Sequence, residues 1–360
     1  MTRAITVSAP GKLILMGEHA AVYGRPALVA AVDLRTRVRI EDRPQPGVEL
    51  DLKTLGHREE TDWAAIHAYT RSRARAWSRY AENPMRESFD ELVDHDPARV
   101  VKLALGEAAL ALEGEPPAGL RLVVDSSLPV GSGFGSSASV AVAVAGGLLE
   151  LVGELEPGFD RLARITLAVE RRQHGTPSGV DHSTVLRGGI LRLRPLAGET
   201  PHIVSLAASA RVLAALHVFD TGAPVETTGE VVAAVRARRQ DDRAGFDAIL
   251  ARMEAATLAM EDALAAAAEV GAMVLAVRDF ERQLEAIGVV PPAVSAAIRR
   301  LEAVGAAAKI SGSGTLSEGG AGALIVCGSP DRSDLAAMVP GFRSLGATIG
   351  APGFRVEGDP

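Results

Sequence analysis

The chain has 360 residues, enough for two domains of ordinary size. Hydrophobic residues make up 47% and charged residues 23%, which supports a packed core and argues against a disordered chain. The formal net charge of −7 argues against nucleic acid as a partner, because a backbone binder needs a basic footprint. It leaves room for a nucleotide held at a local positive site.

Ala4–Ser8 and Lys12–Met16 read as short strands, as does Thr36–Glu41, and Val48–Leu52 continues the sheet. Glu59–Tyr80 is charged and helix-permissive, carries Trp63, Trp77 and Tyr80, and reads as a surface helix. Ala98–Leu112 has apolar residues at helical spacing and stops before Gly114-Glu115-Pro116-Pro117. Leu120–Asp125 is a strand that feeds a glycine-rich loop. Ser139–Val152 is too uniformly apolar for a surface helix and too short for a bilayer, so it is expected in the core. Asp160–His174 is another helix, and Gly188–Arg194 is a strand that closes a first domain. Beyond Pro195, Arg211–Asp220 reads as a strand. Thr228–Ala308 is Ala-rich and helical, punctuated by Gly271, Gly288 and Pro291-Pro292. Gly322–Cys327 and Gly353–Val356 are late strands. Strands and helices mixed without a regular βαβ rhythm imply an α+β fold, with domains at 1–194 and 195–360.

One cysteine, Cys327, excludes an intramolecular disulfide and suits a reducing compartment. The start of the chain lacks a signal-peptide pattern, and no run approaches the ~20 apolar residues that span a bilayer. The expectation is a soluble, cytoplasmic protein.

Leu128–Ser139, LPVGSGFGSSAS, is the richest stretch for chemistry. Gly131, Gly133 and Gly135 let the backbone turn tightly and approach a ligand, and the helix that follows points unpaired N–H groups and a positive dipole end at it. That geometry suits phosphate. Taken alone, the loop reads equally as a Gly/Ser turn with an N-cap serine. It is neither a Walker A loop nor a dinucleotide fingerprint, because no GxxxxGK[ST] occurs and the glycine spacing is GxGxG. Three other stretches stand out: SAPGKLILMGEHAAVYGRPAL from Ser8, ERRQHGTPSGVDHSTVLRGGI from Glu170, and KISGSGTLSEGGAGALIV from Lys309. Phosphoryl transfer needs a phosphate cradle, a metal ligand, a cation near the nucleophile and a carboxylate. Glu170 offers the hard oxygen that Mg²⁺ favours, or is a solvated helix residue beside Arg171 and Arg172. Asp181 offers a carboxylate to take a hydroxyl proton, and Lys12 a cation to help it. No GxSxG elbow, HExxH or CxxC supports a serine hydrolase or a zinc site.

In order and rough spacing, these four stretches resemble the galactokinase–homoserine kinase–mevalonate kinase–phosphomevalonate kinase (GHMP) family. The resemblance runs from about Ser8 to Val326 and is weakest between Pro44 and Val100. It implies an N-terminal domain like domain 2 of ribosomal protein S5 and a ferredoxin-like C-terminal domain, with the site between them. It implies ATP and Mg²⁺ as cofactors. Gly131, Ser132, Gly133, Phe134, Gly135, Ser136 and Ser137, with Gly312 and Gly314, would hold the nucleotide phosphates; Ser137 and Glu170 would ligate the metal. Asp181 and Lys12 would be the catalytic pair, and Glu18, His19 and Thr227 would lie at the acceptor.

After GEH the chain continues AAVYGRPAL, in the style of the mevalonate kinase branch, so the expected reaction is phosphorylation of the terminal hydroxyl of mevalonate to 5-phosphomevalonate. The alternatives are another kinase of the family acting on phosphomevalonate or a sugar, a mevalonate diphosphate decarboxylase, and a non-catalytic binding protein. A homodimer is the family expectation. The chain departs from the family in two places. Val225 and Thr228 stand where basic residues often flank Thr227, and Thr315–Glu318, TLSE, interrupts the third motif. This insertion is expected to alter nucleotide affinity or reach the acceptor.

Overall fold

A computed structural model describes residues 3–83, 85, 88, 89, 91, 92, 94–175, 177–194, 202–265, 270–328 and 332–358. Two sheets organise them. The larger has eight strands: β1 (Ala4–Met16), β2 (Ala27–Asp42), β3 (Gly47–Leu52), β4 (His57–Thr61), β5 (Gly119–Ser126), β6 (Ile190–Arg194), β7 (His202–Leu206) and β12 (Arg355–Val356). The main path is β12-β1-β2-β5-β3-β4, with β6 on β2 and β7 on β6. Among the described residues only β3 and β5 run parallel. The second sheet is β11-β8-β10-β9, antiparallel throughout, from β8 (Leu216–Asp220), β9 (Ala307–Ser311), β10 (Ala323–Cys327) and β11 (Arg343–Ser344). The fold is α+β, as the mixed pattern implies.

β1 and β2 determine where the site lies. The two expected strands at the start are one long strand, because Ala9-Pro10-Gly11 passes through a register shift between Pro10 and Gly11 without leaving β2. A Cβ on Gly11 would stand 2.3 Å from Leu128 and 2.9 Å from the Phe134 carbonyl, so the glycine lets the loop after β5 close over the strand. β2 is long enough to pair β6 with its first half and β5 with its second.

The helix Ser136–Val152 is buried along most of its length, as its apolar sequence predicts. With the helices Arg99–Leu110 and Asp160–His174 it covers the first sheet in one core. Its small residues admit close neighbours: a Cβ on Gly146 would lie 2.5 Å from the Phe354 ring and 3.1 Å from Leu162. Phe354 is fixed in turn by an edge-on contact with Phe159 at 5.5 Å. Arg35, buried, ties this returning C-terminal segment to β1, donating to the Ser8 hydroxyl at 2.8 Å and to the Pro352 and Gly353 carbonyls at 2.8 and 2.7 Å. A second core joins Leu13, Leu15 and Met16 of β1 to the helices and sheet of the second half. No described helix is long and apolar enough to cross a membrane.

Three elements differ from expectation. Arg211–Asp220 is a short helix, Ala210–Ala214, followed by β8; the Ser209 hydroxyl caps the helix by accepting from the Val212 amide. The Ala-rich stretch forms helices Thr228–Asp241, Arg243–Ala265, Val270–Ala286 and Pro292–Ala303, but its end is β9, fully buried between helices and β10; residues 266–269 lie outside the described set. The charged run His57–Thr61 is an edge strand before Asp62 caps the helix Trp63–Glu82. The larger sheet also draws β7 and β12 from beyond residue 195, and 195–201, where the two domains were expected to meet, lie outside the described residues.

Gly146→Ala tests the packing of the central helix. The added methyl forces Phe354 and Leu162 apart, and the unfolding free energy is expected to fall by about 1–3 kcal/mol, read from the urea midpoint. An unchanged midpoint contradicts the packing.

Candidate active site

Lys12 lies on β1 just past the register shift, and its backbone amide donates to the Phe134 carbonyl at 2.9 Å. Its stem crosses Gly135, where a Cβ would stand 2.7 Å from Lys12 Cγ. The ammonium reaches the Asp181 carboxylate at 3.1 Å. The lysine side chain is 8% exposed and that of the aspartate 38%, so the pair opens to solvent on the carboxylate side.

Asp181 sits in the first turn of the helix Val180–Arg187, entered through Gly179 at φ +75°. Glu170, near the end of the helix Asp160–His174, holds that turn. One carboxylate oxygen accepts the His182 backbone amide at 3.0 Å and the other meets His182 Nδ1 at 2.9 Å. Both side chains are buried. Glu170 therefore faces His182 directly, and each of its oxygens keeps a lone pair after this contact. The helix Trp63–Glu82 braces the same corner: Trp77 donates to the Gly175 carbonyl at 2.8 Å, and Arg171 and Arg172 lie over its ring.

Gly131, Gly133 and Gly135 all have positive φ, at 76°, 81° and 68°. Gly131 and Gly133 are exposed, while Ser132 and Phe134 turn inward; Phe134 joins the second core and the Ser132 carbonyl accepts the Ala323 amide at 3.1 Å. Ser132 and Phe134 thus offer backbone rather than side chain to the loop's outer surface. Ser136 and Ser137 open the helix with part-exposed side chains, where its first amides lack intrahelical partners.

The third motif packs onto the first two. The Ser311 hydroxyl accepts the Ile14 amide at 2.9 Å, and the Ser311 carbonyl would lie 3.2 Å from a Cβ on Gly133. His19, at φ +58° and buried, donates from Nε2 to the Ser313 carbonyl at 2.9 Å. Burial holds its ring below the ordinary 6.5, so it is neutral at pH 7 with the proton on Nε2. Gly312 stands in open space at φ +118°; Gly314 is glycine because a Cβ would strike the Val289 carbonyl at 2.2 Å.

Beneath this surface lies a buried charge cluster that sequence reasoning missed. Lys309, fully buried, donates to Glu18 at 2.5 Å and to the Ile310 carbonyl at 2.6 Å. Glu281, also fully buried, accepts the Ile310 amide at 3.1 Å. Burial raises the pKa of Glu18 and raises that of Glu281 well above the usual range, against the opposing pull of Lys309. Glu18 therefore faces into the cluster. Lys309 had a signal in the sequence, a lone lysine in a small, apolar run; Glu281 had none.

Thr227 is brought to a different task. It caps the helix Thr228–Asp241 in a reciprocal capping box with Glu230, and it is exposed. Its neighbour Glu226 binds the Thr315–Ser317 segment.

A sequence profile described as the GHMP kinases N terminal domain matches residues 99–189, which contain the glycine loop, Glu170 and Asp181. Over that segment the chain is similar to the GHMP kinases. It is 33% identical over 208 residues to a mevalonate kinase of Pyrococcus abyssi, covering 56% of this chain and 54% of that one. To the mevalonate kinase of Pyrococcus horikoshii it is 32% identical over 250 residues, 67% of this chain and 64% of that one. The chain thus spans half to two thirds of the length of these relatives. The whole fold is similar to the crystal structure of Methanococcus jannaschii mevalonate kinase, with a TM-score of 0.77, 19% identity and 99% of each chain covered. It is also similar to L. major mevalonate kinase in complex with R-mevalonate, with a TM-score of 0.68, 22% identity, and 92% of this chain and 89% of that one covered.

The buried cluster generates a pH prediction. An acid whose folded pKa is raised contributes its stability below the unfolded value, here 4.5, and loses it as pH rises through the folded value. Glu281→Gln keeps an acceptor for Ile310 and removes the ionisation. Between pH 5 and pH 8 the wild type is expected to lose stability relative to the variant, by roughly 1–3 kcal/mol, measured by urea unfolding at each pH. Parallel pH profiles contradict the assignment.

Proposed function

We propose that this chain is a GHMP kinase that transfers the γ-phosphoryl group of ATP to the terminal hydroxyl of mevalonate, giving 5-phosphomevalonate and ADP, with Mg²⁺ as the metal. The observation that carries the reading is the Lys12–Asp181 pair at 3.1 Å, with the stem of Lys12 lying against the glycine loop at Gly135. A cation and a carboxylate side by side at a phosphate cradle are the groups this reaction needs.

In this reading the outer backbone of Gly131–Gly135 and the first amides of the helix Ser136–Val152 hold the phosphates, with Ser136 and Gly312 alongside. Asp181 accepts the proton of the acceptor hydroxyl as its oxygen attacks the γ-phosphorus. Lys12 stabilises the developing alkoxide and the transferring phosphoryl group, and the proton leaves the site on Asp181. His19, neutral and held on Ser313, offers Nδ1 as an acceptor toward mevalonate. Ser137 and Glu170 would hold the metal; hydroxyl and carboxylate oxygens are the donors Mg²⁺ favours, and the lone pairs that His182 leaves on Glu170 fit that part. Mg²⁺, when bound, neutralises charge on the phosphate oxygens. Glu18 acts from below, through Lys309, and Thr227 acts as a helix cap. The mevalonate assignment draws support from the AAVYGRPAL continuation of the first motif and from the relatives named mevalonate kinase. The buried thiol of Cys327 fits a reducing, cytoplasmic setting.

The test is ADP release by the purified protein with Mg·ATP against mevalonate, 5-phosphomevalonate, mevalonate diphosphate, galactose and homoserine. Turnover is expected on mevalonate, on the order of 1–100 s⁻¹, with phosphorus NMR placing the new monoester on the terminal oxygen. Preference for any other acceptor overturns the substrate assignment.

A further inference from the structure

The segment Thr315–Glu318 interrupts the third motif, and the loop that carries it is fastened at both ends by backbone. On one side the Ser313 carbonyl accepts from His19 at 2.9 Å and the Thr315 amide donates to the Val289 carbonyl at 3.0 Å. On the other, the Ala321 amide donates to the Thr221 hydroxyl at 2.8 Å, the Gly322 amide to the Gly222 carbonyl at 2.8 Å, and the Ala323 amide to Ser132 at 3.1 Å. Gly320 packs so closely on Gly222 that a Cβ would stand 2.4 Å from its carbonyl oxygen. The loop and the turn Thr221–Thr227 are therefore one unit, bordered by His19 on one side and the glycine loop on the other.

Between these fastenings the inserted residues converge on one side chain. The Thr315 hydroxyl and the Leu316 amide donate to one oxygen of Glu226, the latter at 3.2 Å, and the Ser317 hydroxyl donates to the other. The Ser317 amide closes the turn on the Thr315 hydroxyl at 3.3 Å. These donors, Ser317 and Thr315 foremost, push the Glu226 carboxyl down to about 2, so it stays ionised at any working pH. Val225 and Leu316, both exposed apolar residues, flank the contact in sequence.

We propose that Glu226 is a positioning residue that latches the inserted Thr315–Ser317 segment and, through Ser313 and His19, sets the wall of the acceptor pocket. The inference rests on the reading that His19 faces the acceptor. It assigns the latch to the acceptor side because Thr315, which donates to Glu226, lies two residues from Ser313, whereas the glycine-loop fastening, Ala323 on Ser132, lies six residues beyond Ser317. The insertion and its carboxylate form a matched pair: three donors in the segment meet one acceptor group 89 to 91 residues away in sequence. Without the carboxylate the segment loses the contacts that order its middle, and the Ser313 carbonyl two residues before Thr315 holds His19 less firmly.

The experiment compares Glu226→Ala, Glu226→Gln, Thr315→Ala/Ser317→Ala and the triple combination with the wild type. Steady-state kinetics vary acceptor and ATP separately. Amide hydrogen exchange at 315–317 and thermal unfolding are followed in parallel. Glu226→Ala is expected to raise the acceptor KM roughly five-fold or more, with kcat and the ATP KM within about two-fold and exchange at 315–317 faster. Glu226→Gln, which keeps one acceptor oxygen, should fall between, and the triple variant should be no worse than Glu226→Ala. An unchanged acceptor KM, a change in the ATP KM alone, or additive effects of the two halves overturns the proposal. Should Glu226→Ala fail to fold, the Gln and Thr315/Ser317 variants carry the same comparison. Wild-type turnover on mevalonate reads the substrate assignment separately. If another acceptor is preferred, the same KM split on that acceptor, together with the exchange rates, decides the latch.

Discussion

Lys12 reaches Asp181 across 3.1 Å because separate stretches of chain leave room for one side chain. The register shift after Pro10 presents Lys12 to the loop following β5, Gly135 lets the lysine stem pass, and Glu170 fixes the turn that carries Asp181 by binding the amide and ring of His182. The pair is weakly placed as a stabilising contact, since Asp181 is over a third exposed and an exposed ion pair is worth little. Its value is positional. In the proposed reaction, a cation held against a carboxylate at the mouth of a glycine loop meets the charge that develops during phosphoryl transfer, and the surrounding backbone keeps it there.

A second charge arrangement underlies the first and has the opposite character. Glu18, Lys309 and Glu281 are buried together, with two carboxyl groups around one ammonium. Such clusters cost about as much in desolvation as their attraction returns, so their use lies in specificity of arrangement more than in stability. Here the cluster joins the end of β1 to β9 and the helix beneath it, and so ties the first motif to the third. The continuous core from Leu13 and Met16 into the second half serves the same end by packing. The site is therefore a seam between the two sheets, held by apolar contact below and by backbone hydrogen bonds above.

Much of this is legible in the sequence where local chemistry determines the outcome. The glycine loop, the buried helix after it, the helix Asp160–His174 and the strand before the loop all follow from spacing, apolar runs and glycine. The four motif stretches announce Lys12, Glu170 and Asp181, and the structure brings Lys12 to Asp181 and sets Glu170 twelve residues back on His182. What escapes is determined at a distance. β9, AAKIS, has the composition of the helices before it and becomes a strand by pairing with β10. The helix Ala210–Ala214 hides in an apolar run that reads as strand until Ser209 is seen to cap it. Thr227 carries a capping box with Glu230 that is visible in TTGE, while the partner of Glu226 lies some ninety residues away and leaves no local trace.

The most direct measurement is the single-turnover rate of Asp181→Asn and Lys12→Met beside the wild type, with nucleotide affinity measured on the same samples. If the pair at 3.1 Å performs the chemistry, each substitution lowers the rate by roughly 10²–10⁴-fold while ATP binding changes little. Near-normal turnover in either variant, or a loss that lies wholly in ATP binding, would contradict the account.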